Sequence, residues 1–123
     1  MANGVGSMRA FAGALFVFFT LTSIAKADQD YGSGNFMLPH CQHFITDNYR
    51  LDVWDGDCGG TIDTLLFLGE ALPDGFKVCR PKSSTTVQAG RIVVSYMQSH
   101  PQDLHQPFRA LAMIALHKVW PCD

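Results

Sequence analysis

The chain has 123 residues, room for one small domain, with nine Lys and Arg against eleven Asp and Glu. That balance excludes a nucleic-acid binder, which needs a basic face, and argues against anionic lipid heads. All four cysteines, Cys41, Cys58, Cys79 and Cys122, follow an N-terminal apolar run.

Residues 1–27 carry the three parts of a secretory signal. Arg9 supplies the leading positive charge, and Ala10 to Ile24 is largely apolar around Phe16-Val17-Phe18-Phe19. Ala25-Lys26-Ala27 sets small residues where a signal peptidase reads. The run is shorter than the roughly 20 residues a bilayer span needs, so cleavage after Ala27 is expected rather than retention as an anchor. No later stretch is long and apolar enough to span, so no stable membrane insertion is expected after cleavage. Without Arg9 and Lys26 the chain keeps seven basic against eleven acidic residues, a net charge of −4. Export makes disulfides the default use of the thiols and places the protein in the periplasm. A domain this small often needs such staples, each contributing about 2–4 kcal/mol.

Residues 28–34 are polar and Gly-rich and read as a flexible leader; residues 35–123 form the domain. Asn35 to Phe44 reads as a first helix, with Leu38, Cys41 and Ile45 on one face and Pro39 in its first turn. Asp47 to Gly56 reads as a loop, and Asp47, Asp52, Asp55, Asp57 and Asp63 as solvated acids. Cys58 to Leu72 reads as a second helix, with Ile62, Leu65, Leu66 and Leu72 on one side and Phe67 and Leu68 widening the stripe. Gly59 and Gly60 weaken its start, and Pro73-Asp74-Gly75 stops it.

Thr85 to Ser99 reads as a third helix, opened by a Thr85/Gln88 capping box and carrying Val87, Val94 and Met97 on one face. Gly90 in mid-helix costs about 1 kcal/mol relative to Ala, which points to a close helix neighbour there. His100-Pro101 ends it. Pro107 opens a fourth helix with the stripe Phe108, Leu111, Ala112, Ala115, Leu116 and Val119, closed by Pro121-Cys122. No segment alternates as a strand would. The expected fold is all-α, a small disulfide-stapled bundle of about four helices with short connections.

Four cysteines allow three connectivities. Cys41 lies late in helix one and Cys58 opens helix two, so an antiparallel hairpin joins them. Cys79 precedes helix three and Cys122 follows helix four, so Cys79–Cys122 is the second expected pair.

Other chemistry is poorly supported. His40, Cys41 and His43 put three potential metal ligands in four residues, but zinc needs four converging donors and there is no Cys-x-x-Cys. No metal site and no cofactor are expected. An even cysteine count leaves no free nucleophile at Cys58-Gly59-Gly60. Ser99, His100 and Asp103 are sequence neighbours, which is not the spatial relation of a triad. No catalytic residue is assigned, and the protein is expected not to be an enzyme. The five histidines, His40, His43, His100, His105 and His117, read as ordinary surface residues rather than an acid sensor.

The second half carries a more specific pattern. Val78-Cys79-Arg80-Pro81 leads to Thr85 and Gln88, then Val93-Val94, Tyr96-Met97 and His100-Pro101. Leu104-His105, Pro107 and Ala115-Leu116 follow, and Trp120-Pro121-Cys122 closes. In the first half, Gly34-Asn35, Leu38, Cys41 and Cys58-x-Gly60-x-Ile62 match more loosely, with Thr61 where an aromatic is usual and Thr64 near the place of a further glycine. This ordered set resembles the Rap/Tai family of immunity proteins over essentially the whole mature chain. The resemblance implies a helical, often homodimeric periplasmic protein. Such a protein neutralises peptidoglycan amidases of type VI secretion by stoichiometric binding in the active cleft.

Blocking a cleft needs a rigid projecting element. The loop from His100 to Gln106, braced by Pro101 and Pro107, is the candidate, with Gln102, Asp103, Leu104 and His105 as the expected partner contacts. The alternative is a periplasmic acid-stress chaperone similar to the HdeA type. It ranks second because the chain lacks Lys-rich ends.

Overall fold

The computed structural model describes residues 3–4, 29–46 and 50–123. Apart from residues 3–4, the expected signal peptide lies outside the described residues, as does Asp47. Four helices follow in order: α1 (Gly34–Thr46), α2 (Val53–Leu68), α3 (Thr86–Ser99) and α4 (Phe108–Val119). Short 3₁₀ turns at Gly69–Ala71 and Pro101–Asp103 follow α2 and α3. Among the described residues there is no strand, only two isolated antiparallel bridges, Ser33 with Pro107 and Val78 with Pro121.

The helices bury one continuous core. Met37 and Cys41 come from α1, Cys58, Ile62 and Leu66 from α2, Ala89, Val93, Val94 and Met97 from α3, and Phe108, Leu111, Ala112, Ala115 and Leu116 from α4. Helix α1 packs on both α2 and α3, and α3 packs on α4. Two disulfides staple this core. Cys41–Cys58 lies inside it, with Cα atoms 5.4 Å apart. Cys79–Cys122 closes the far end beside the Val78–Pro121 bridge, with Cα atoms 5.0 Å apart. These are the pairs that helix order predicts.

Several local expectations need correction. Helix α2 starts five residues before Cys58, because Asp52 and Asp55 cap it. The Asp52 carboxylate accepts the Trp54 and Asp55 N–H groups at 2.8 and 2.9 Å, and the Asp55 carboxylate accepts the Asp52 N–H at 2.9 Å. The Asp52 to Gly56 stretch is thus mostly helix start rather than loop. The helix also ends earlier, at Leu68, where Gly69 adopts φ +38° and donates its N–H to the Leu65 carbonyl. Phe67 is 87% exposed and does not widen the core stripe. Val119, half-exposed in the last turn of α4, also falls outside it.

In α1 the buried pair is Met37 and Cys41, while Leu38 and Ile45 only flank it. Pro39 sits inside the helix rather than in its first turn. It is exposed, so water can serve the carbonyl its missing N–H leaves unpartnered. Thr85 caps α3 by accepting the Gln88 N–H at 3.0 Å, the first half of the expected capping box.

The close helix neighbour at Gly90 is α1. A Cβ there would stand 2.8 Å from Ile45 Cγ2 and 3.2 Å from Phe44 Cε1. On the other side, a Cβ at Gly59 would stand 2.6 Å from Phe44 Cε2. The Phe44 ring therefore fills a slot walled by two glycines, which brings α1 against α2 and α3 at once.

Candidate partner-binding site

The loop between α3 and α4 is held by backbone bonds along its length. Asp103 N–H donates to the His100 carbonyl at 3.0 Å, and Gln106 N–H to the Asp103 carbonyl at 2.9 Å. The segment before α1 then locks onto it. Gly34 N–H reaches the Gln106 carbonyl at 3.0 Å, Asn35 N–H the Leu104 carbonyl at 2.7 Å, and Phe108 N–H the Gly32 carbonyl at 2.7 Å. The end of the expected flexible leader is thus docked structure, with Ser33 and Gly34 buried. A Cβ at Gly34 would stand 2.5 Å from Leu111 Cδ1, which explains a glycine at this crossing.

The four expected contact residues divide into two kinds. Gln102 and His105 are exposed, and His105 Nδ1 bonds the Gln102 carbonyl at 3.0 Å. Asp103 and Leu104 are half-buried. Asp103 accepts a bond from the Gln106 amide at 3.2 Å, and Leu104 packs against the core. Two side chains shape the loop and two face outward. Sequence reasoning could not separate them, because the split depends on the leader crossing behind the loop.

A groove of about 380 Å³ continues from this loop between α3 and α4. Tyr96 and His100 stack in it at 4.1 Å, Lys118 Nζ lies 5.1 Å from the Tyr96 centroid, and Arg91 lies along the wall. A second groove, about 520 Å³, runs along α2 past Gly56, Gly60 and Thr64 to Arg109.

The hydrolase-like neighbours do not assemble. Ser99 Oγ donates to the Ser95 carbonyl, His100 Nδ1 bonds the Tyr96 carbonyl at 2.8 Å, and Asp103 serves Gln106. Cys58 is in a disulfide, and there is no free cysteine.

A polar cluster at the α1–α2 junction escaped the sequence reading. His40 Nδ1 lies 3.0 Å from Asp55 Oδ1, and His43 Nδ1 bonds Asp55 Oδ2. Asp55 is 1% exposed. Burial pushes its carboxyl up, but the Asp52 N–H and the two imidazoles outweigh that and hold it below the ordinary carboxylate value. The Asp-x-x-Asp spacing at a helix start was the signal that could have revealed it.

The model of the Rap1a immunity proteins matches residues 33–122. The chain belongs to the Rap1a immunity protein family. No curated protein and no solved structure matches it. The match spans all four helices and both disulfides. For a Rap1a family member the implied activity is binding to an effector. No helix among the described residues is long and apolar enough to cross a membrane.

Proposed function

We propose that the chain is exported to the periplasm and neutralises a peptidoglycan amidase effector of type VI secretion by stoichiometric binding, without turnover or cofactor. Family membership over residues 33–122 carries this reading. The braced loop supports it physically. Its backbone is held from both sides, so Gln102 and His105 can enter a cleft with little ordering cost on binding. The adjoining groove, with Arg91 and Lys118, extends the surface available to a partner. Two disulfides suit an oxidising compartment. Self-association into a homodimer is part of the proposal.

The test is a pull-down from periplasmic and secreted extracts with the mature oxidised domain, followed by peptidoglycan hydrolysis assays on each captured protein. Loss of amidase activity that saturates at a fixed molar ratio supports the proposal. Full hydrolysis in the presence of excess domain refutes it for that enzyme. Suppression of aggregation of unrelated proteins in acid, with no amidase captured, would favour a chaperone instead. Sedimentation of the pure domain reports the dimer.

A further inference from the structure

We infer that the α1–α2 junction is a binding site for a zinc-class divalent cation, with His40 and His43 of α1 and Asp52 and Asp55 of α2 as ligands. The set combines two imidazoles and two carboxylates, donors that suit zinc and its neighbours among the transition metals. His40 and His43 are one turn apart on α1, and Asp52 and Asp55 are the N-cap residue and third residue of α2.

The spacing of His40, Asp52 and Asp55 fits one shared ion. Bonds of about 2.0–2.2 Å set neighbouring corners of a tetrahedron roughly 3.3–3.6 Å apart. His40 Nδ1 lies 3.0 Å from Asp55 Oδ1 and 3.5 Å from Asp52 Oδ1. One donor atom from each of these three residues falls within 4.8 Å of the others. His43 Nδ1 meets the other oxygen of the same Asp55 carboxylate. Both imidazoles thus turn their Nδ1 atoms toward the carboxylates.

The charge also calls for a cation. Asp55 is 1% exposed, and among the described residues its ion-pair partners are histidines, with no lysine or arginine. A buried carboxylate without a permanent counter-charge is costly. A divalent ion would supply that charge, and the neutral imidazoles would become ligands by moving their proton to Nε2.

The frame is built before any ion arrives. Cys41 lies between the two histidines in sequence, and its disulfide to Cys58 pins α1 to α2 within one turn of Asp55. Phe36 packs on the His40 ring at 4.9 Å and fixes its orientation. Asp52 is exposed, and His40 and His43 are partly so, which leaves an entry path from solvent. Of the ligands weighed from sequence, Cys41 is lost to the disulfide and α2 supplies the carboxylates instead.

The experiment titrates the chelator-stripped, tag-free, oxidised domain with Zn²⁺ alone at pH 7 by calorimetry. Co²⁺ in parallel gives a visible spectrum that reports coordination. The expected result is one saturable site per chain. His40→Ala with His43→Ala should weaken it at least a hundredfold. Asp52→Asn, which preserves an N-cap side chain, should weaken it about tenfold while the metal-free melting temperature stays unchanged. His105→Ala with His117→Ala should leave it intact. Absence of a saturable heat, or affinity equal in wild type and Asp52→Asn, would overturn the assignment.

Discussion

The α1–α2 junction and the α3–α4 loop are rigid for different reasons. At the junction the holding groups are side chains: the buried Cys41–Cys58 bridge, Phe44 between Gly59 and Gly90, and two imidazoles on Asp55. In the loop the holding groups are mostly backbone N–H and carbonyl pairs, including Gly34 and Asn35 of the crossing segment donating to Gln106 and Leu104, and Phe108 donating back to Gly32. The difference decides what each region can do. Where side chains hold the fold, their identity is tied to stability. Where the backbone holds it, exposed side chains such as Gln102 and His105 are free to specify a partner.

Replacing Cys41 and Cys58 with Ala should have the largest effect. It removes a cross-link over 17 residues and leaves space in the core, a loss of about 3–5 kcal/mol by urea unfolding. Gly59→Val should cost about 1–3 kcal/mol, because its Cβ would meet the Phe44 ring and Gly90 allows no retreat past Ile45. Phe44→Leu in the Gly59→Val background should recover part of that loss, a coupling that a double-mutant cycle reads directly.

Acid sharpens the same comparison. Asp55 is held below its ordinary value, so its stabilisation is complete above the unfolded value of about 3.9. That stabilisation is lost as pH falls through the lower folded value. In chelator, the urea midpoint should fall as the pH drops below about 4, and fall less steeply in Asp55→Asn. The smallest stability effect should come from Gln102→Ala with His105→Ala, within about 0.5 kcal/mol, since both side chains are exposed.

The helical class, the disulfide pairs and the limits of α3 and α4 were legible in the sequence. They rest on local signals: apolar spacing, Thr85, Pro107 and the placement of cysteines at helix ends. The start of α2 was not, because Asp52 and Asp55 look like solvated loop acids until α1 brings histidines against them. Phe67 is apolar but lies on the side of α2 away from Cys58 and Ile62, and among the described residues no element covers it. The docking of Gly32 to Gly34 on the loop is long-range backbone pairing, which side-chain patterns do not encode. That pairing separates Gln102 and His105 from Asp103 and Leu104, so the candidate site was legible as a loop but not as a set of exposed side chains.

The most direct test measures binding of the amidase captured by the wild-type domain, comparing wild type, the Gln102→Ala and His105→Ala double variant, and Gly59→Val under conditions where all are folded. The account predicts at least tenfold weaker binding for the loop variant, about 1.4 kcal/mol, and less than a twofold change for Gly59→Val. Equal affinity of the loop variant and wild type, or a larger loss in Gly59→Val, would contradict it.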